Sequence, residues 1–145
     1  MRKRTLARDL ALKFLYQIDI TRDAESGELE FFWQNQEEVE SSVREFAETL
    51  IKGVAGKLDE IDKKISQFAD NWELKRMAVV DRNILRLATF ELLYLSDIPP
   101  KVTINEAVEL AKRYGDVNSG RFINGIVDKI HKTECPHKKA SPAKS

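Results

Sequence analysis

Apolar side chains recur along most of this chain at the three- and four-residue spacing of one helix face, and almost nowhere at the spacing of two that marks a half-buried strand. Leu6, Ala7, Leu10, Ala11, Phe14, Leu15 and Ile18 predict a first helix over 5–20. Ser26-Gly27 reads as a loop, and Phe31-Phe32-Trp33 as a short aromatic turn that plugs the core. Val39, Val43, Phe46, Leu50 and Val54 predict a helix over 37–55 ended by Gly56, and Leu58, Ile61, Ile65 and Phe68 predict another over 58–68. Asp70-Asn71 is a break. The stretch 74–95 is apolar on more than one side, which predicts a long, central, buried helix. The chain stops again at Pro99-Pro100. Thr103 and Glu106 then spell a capping box, T-x-x-E, ahead of a stripe of Ile104, Ala107, Val108 and Ala111. Gly115 sits where a left-handed residue would close that helix. A polar corner, Asp116-Val117-Asn118-Ser119, leads to a last helix carrying Phe122, Ile123, Ile126, Val127 and Ile130 on one face. The expected architecture is all-α: a single domain of six or seven helices, whose parts before and after Asn71 pack as two small bundles sharing one core. That domain spans 1–134. Residues 135–145, rich in Lys, Pro and Ser, predict a disordered basic tail.

Composition adds limits. The 145 residues are enough for one buried core, and the 6 Gly and 4 Pro leave long helices few interruptions. A single Cys135 excludes an internal disulfide and fits a reducing compartment. No apolar run reaches the roughly 18–20 residues of a membrane span, and the basic start is followed by Asp9 and a helical stripe rather than a signal-peptide core. These features predict a cytoplasmic protein. The formal net charge is zero, but its distribution is polar. Residues 1–22 carry six basic side chains (Arg2, Lys3, Arg4, Arg8, Lys13, Arg22) against two acidic ones, whereas 23–48 carry nine acidic ones against Arg44 alone. A basic end can thus focus positive potential although the total is neutral.

Catalytic constellations are absent from the pattern. His131, Cys135 and His137 lack the paired spacing of a zinc site. Gly120 and Gly125 follow a helix rather than a strand, unlike a nucleotide-binding fingerprint. Asp81 beside Arg82 reads more readily as half of an ordinary ion pair than as an acid–base catalyst. No enzyme activity, metal or cofactor is expected. The chemistry that does suggest itself is RNA binding. Arg2, Lys3, Arg4 and Arg8 offer cations to phosphate, and guanidinium groups do so in a fork. Asp9, Lys13 and Tyr16 share a flank of the first helix, and Tyr16 could stack on an unpaired base. Ser119, Arg121 and Phe122 at the corner supply matching parts, although on periodicity alone Tyr16 and Phe122 are equally well core aromatics.

Three segments resemble the NusB family of bacterial transcription antitermination factors: ARDLALKFLYQIDI after the basic start, VDRNILRLATFEL in the middle, and PPKVTINEAVELAKRYGDVNSGRFINGIVDKI near the end. The resemblance covers nearly the whole length, and its last segment is specific to the family; 23–70 and the tail carry little of it. It implies an all-helical fold of two packed subdomains. It implies binding of boxA, a short single-stranded element of nascent ribosomal RNA, together with NusE, which is ribosomal protein S10, within the antitermination complex of RNA polymerase. It also implies an RNA-binding surface. Arg2, Lys3, Arg4 and Arg8 match its arginine-rich start, Tyr16 its aromatic on the first helix, and Asp81 and Arg86 its charged groove positions. Asn118, Ser119, Arg121 and Phe122 match the corner. Asn118 stands where some members carry an acidic residue, and the basic start is shorter than in the most arginine-rich members. On this reading Arg8 touches phosphate, and its loss flattens the salt dependence of binding by about one unit. Some members are dimers, so a homodimer stays open. Two other readings remain: a protein–protein adaptor with nonspecific RNA affinity, and the RNA-binding front end found fused to ribosomal RNA methyltransferases, whose catalytic domain this sequence lacks.

Overall fold

The computed structural model describes residues 2–21, 26–70 and 72–135. Among them are seven α-helices: α1 (Lys3–Thr21), α2 (Ser26–Gln34), α3 (Ser41–Gly56), α4 (Leu58–Phe68), α5 (Val79–Tyr94), α6 (Pro100–Tyr114) and α7 (Ser119–Glu134). α5 is the hub and packs against α1, α3, α4, α6 and α7. It earns that place by being buried nearly all round, from Ile84 and Leu85 to Leu92. One apolar cluster runs through every helix. α1, α2 and α3 form one group, with Phe32 of α2 edge-on to Phe14 of α1 at 5.3 Å. α4 packs chiefly on α5 and α7. The two subdomains therefore divide between α3 and α4, not at Asn71, which itself lies outside the described residues.

Several expectations need correction. The aromatic run is not a turn: Ser26 and Gly27 open α2, which buries Phe32 and Trp33 and leaves Phe31 outside. The predicted helix over 74–95 is broken. Leu74–Arg76 is a single 3₁₀ turn, Met77 and Ala78 are extended, and α5 starts only at Val79. No residue there forbids a helix. The break is held by tertiary contacts: Met77 is buried, and Arg82 donates back to the Leu74 carbonyl at 3.3 Å. The capping box at Thr103 is also not used as one. α6 starts three residues earlier, with Pro100 inside its first turn and Pro99 as N-cap, where a fixed φ and a missing N–H cost nothing. Thr103 and Glu106 instead reach across to other helices. Gly115 is extended rather than left-handed, at φ −90° and ψ −171°. Its lack of a side chain matters because a Cβ would fall 2.4 Å from the Ser119 hydroxyl oxygen. Cys135, assigned to the tail by composition, is buried and its thiol donates to the Leu92 carbonyl at 3.2 Å. The rest of that tail lies outside the described residues. No described helix is long and apolar enough to cross a membrane.

Candidate nucleic-acid interface

Two grooves meet along the exposed face of α6. One, of about 850 Å³, lies between α6 and α7 and is lined by Asn105, Lys112, Asn118, Arg121 and Asn124 among others. The second, of about 790 Å³, lies between α6 and the start of α1 and is lined by Arg2, Arg4, Val102 and Asn105 among others. Asn105 belongs to both. α6 is thus the seam between the N-terminal arm and the 116–119 corner.

The corner is fixed locally. The Asn118 amide donates to the Asp116 carboxylate at 2.8 Å, and the Asp116 amide donates to the Ser119 hydroxyl at 3.0 Å. Asn118 is exposed and leaves its side chain free of any capping bond. Arg121 is exposed on the next turn, and Phe122 is half-buried, edge-on to Trp72 at 5.7 Å. On the other side of the α6 C-terminus, Tyr16 (39% exposed) walls a small apolar dent of about 200 Å³ with Leu12, Lys13, Val80 and Tyr114. That dent is well below the size of a drug-like cleft and suits part of one base.

Four of the expected contact residues are not surface groups. Arg8 is buried, its guanidinium forked onto Glu91 at 2.7 and 2.8 Å with a third bond to Glu106 at 3.1 Å. It cannot offer those donors to a phosphate, so the salt-slope role assigned to it is withdrawn. Arg86 is similarly spent: it donates to Asp62 at 2.8 and 2.9 Å and to Asp19 at 3.0 Å. Asp19 collects Arg82 and Asn83 as well; Arg82 thus pairs with Asp19, not with its neighbour Asp81. These donors hold the Asp19 carboxyl below its ordinary range, although burial alone would raise it. Ser119 is buried within the corner it closes. Asp81 is buried beneath it, and its Oδ1 has no hydrogen-bond partner. Asp9, expected on a polar flank with Lys13 and Tyr16, is buried too and accepts from Tyr114 at 2.6 Å and Arg113 at 2.9 Å.

Asp81 gives a pH prediction. Burial pushes its carboxyl above the ordinary range, the Ser119 hydroxyl partly offsets this, and the Asp116 charge adds to it. A carboxyl whose folded pKa exceeds its unfolded value opposes folding when ionised. The penalty is complete above the folded pKa and gone below the unfolded one. Asp81→Asn should therefore raise the melting temperature at neutral and mildly alkaline pH and lose that advantage in acid. Thermal unfolding followed by circular dichroism across pH checks this; a gain independent of pH would show that titration is not its source.

The basic arm is partly neutralised by the molecule itself. Lys3 pairs with Glu40 of the acidic stretch at 2.9 Å, and Arg4 lies over the Phe46 ring at 4.4 Å and 3.9 Å from Asp97. Arg2 is exposed at the groove mouth, and Arg22 lies outside the described residues.

Residues 5–132 match the model of the NusB family. The chain belongs to the NusB family. It is 50% identical over 128 residues to the transcription antitermination protein NusB of Anaeromyxobacter dehalogenans, covering 88% of this chain and 89% of that one. It is 44% identical to the NusB of Thermodesulfovibrio yellowstonii, covering 96% and 98%. Among solved structures, T. maritima NusB superposes with a TM-score of 0.84 at 40% identity, covering 98% of this chain and 97% of that chain. A crystal structure of antitermination factors NusB and NusE in complex with dsRNA superposes at 0.82 with 30% identity, covering 91% and 98%. The relatives it matches are transcription antitermination proteins by name. The grooves also take in Asn105, Lys112 and Asn124, which the sequence alone did not single out. A signal was present: Asn105 and Lys112 are seven apart, two turns along one face of α6.

Proposed function

We propose that this chain binds single-stranded RNA of the boxA type in nascent ribosomal RNA, together with NusE (ribosomal protein S10), and so helps RNA polymerase resist premature termination. The observation that carries the reading is the continuity of the α6 face, with Arg2 and Arg4 at one end, Asn118 and Arg121 at the other, and Asn105 at the meeting point. Phosphate contacts fall to Arg2, Arg4, Lys112 and Arg121, and positioning of the strand precedes any reading of sequence. The amides of Asn105, Asn118 and Asn124 each present both donors and an acceptor to base edges. Tyr16 offers a plane beside its apolar dent. Arg8 and Ser119 hold these elements in place from beneath. The solved NusB–NusE relative supports the two classes of partner. Its duplex RNA also supports a second reading, in which the groove takes paired RNA by shape.

The test is binding of a labelled boxA strand, a scrambled strand of equal length and a boxA duplex, across salt, with and without NusE. The expected result is a preference for the boxA strand that tightens with NusE. Arg2→Gln and Arg4→Gln should each flatten the salt slope by about 0.7 while leaving the preference intact. Preference for the duplex would move the second reading to the front. Equal, weak binding to all three, indifferent to NusE, would leave a protein–protein adaptor with nonspecific RNA affinity.

A further inference from the structure

The chain has two tryptophans, and they are treated oppositely. Trp33 is 6% exposed in the core, whereas Trp72 is 52% exposed. Trp72 follows α4 and is tied to it by its own amide, which donates to the Ala69 carbonyl at 3.0 Å. Its indole meets Phe122 at 70° between the ring planes, which leaves much of the ring surface uncovered. Beside it opens a cleft of about 660 Å³, whose apolar floor of Ala69 and Leu74 is rimmed by Ser66, Lys63 and Lys75 and by two carboxylates, Glu73 and the Asp62 that Arg86 already neutralises. Both lysines are exposed. Among the described residues Lys75 is held only by a 3.5 Å surface pair to Glu73, of the kind that contributes little and exchanges readily with another anion.

An exposed aromatic face flanked by flexible ammonium groups is the chemistry that takes an unpaired nucleotide: the ring stacks on the base and the cations follow the phosphate. Position supplies the direction. Phe122 sits one turn into α7 from the Asn118 corner, so Trp72 is the next aromatic outward from the proposed groove. We infer that Trp72 is a stacking platform for a base of the bound RNA that lies beyond the corner, with Lys63 and Lys75 attending its phosphate. This extends the RNA surface past Phe122 onto the segment between α4 and α5. It rests on the RNA-binding reading above.

The experiment uses the full chain and the labelled single strand, with RNA anisotropy and tryptophan fluorescence read in the same titration. Stacking should quench the emission of the native protein in step with the anisotropy rise. Trp72→Phe should keep affinity within about threefold yet abolish the quench, because only the buried Trp33 then emits. Trp72→Ala should weaken binding by at least about fivefold with the salt slope unchanged. Shortening the strand one nucleotide at a time should remove the quench and the Trp72→Ala effect at the same step, and an abasic site at that nucleotide should do likewise. Normal RNA affinity with no quench and no effect of Trp72→Ala would overturn this inference while leaving the RNA-binding reading standing. A quench produced by NusE alone, and not by RNA, would overturn it in favour of a protein contact. Absence of any anisotropy change would remove the functional reading and this one with it.

Discussion

Arg8→Ala is expected to cost about 3–5 kcal/mol of folding stability, the range seen when one member of a buried ion pair is removed. Glu91 is 2% exposed and sits on the central helix, where its carboxylate takes both arms of the Arg8 fork and the Thr103 hydroxyl at 2.9 Å. Alanine would strip both guanidinium bonds from that buried carboxylate. The loss is a large share of the roughly 5–15 kcal/mol that holds an ordinary domain. Arg8→Met should be no better, since it fills space but leaves the charge. Arg8→Met combined with Glu91→Leu should recover most of the loss, because an apolar pair removes the desolvation cost together with the attraction. Urea unfolding followed by far-ultraviolet circular dichroism measures all three. A single substitution that costs less than about 1 kcal/mol would mean that the network carries no such weight.

Gly53→Ala is expected to destabilise the protein by about 2 kcal/mol, although alanine is the better helix former by roughly 1 kcal/mol. Gly53 lies in α3 where it crosses α5, and an added Cβ would lie 2.0, 2.3 and 2.6 Å from three ring atoms of Phe90. That ring is 7% exposed and stacks on Tyr94 at 5.5 Å, so it has nowhere free to swing. Overpacking of this kind costs about 1–3 kcal/mol or more, enough to outweigh the propensity gain. Two comparisons isolate the cause. Gly56→Ala, in the same helix but with open space around its Cβ position, should be neutral or mildly stabilising. In a Phe90→Leu background, Gly53→Ala should change sign and stabilise. If Gly53→Ala is as well tolerated as Gly56→Ala in the native background, the close crossing of α3 and α5 is not the constraint.

The parts of the fold that depend on one helix's own residues were readable in the chain. α4 was predicted over its full span, and α1 nearly so, because their apolar stripes and flanking breaks agree. What could not be read depends on partners distant in sequence. Nothing local separates Leu74–Arg76 from α5; a buried Met77 and the Arg82 bond do. The Thr103 and Glu106 pattern is a good capping box in isolation, but Glu91, Thr5 and Arg8 claim those oxygens from other helices. The site divides in the same way. The resemblance and the basic start pointed to two regions, the arm and the corner, and α6 lies between them. Exposure within them was not legible, since a buried arginine and a phosphate-binding one are written with the same letter. A hint existed at Arg8: with Leu12 and Leu15 it follows helical spacing, and both leucines are buried, so that flank of α1 was a second interior face.

The boundary between Arg4 and Arg8 has a consequence for variation. Up to Arg4 the charges sit on the surface, in pairs that solvent competes for; at Arg8 the charge is part of the interior. One helical turn therefore separates residues that can be exchanged from one that cannot. The first few positions form a surface cuff whose number of cations the packing of the fold does not fix. The remainder of α1 is indifferent to that number, because its registration on the central helix is secured one turn further in.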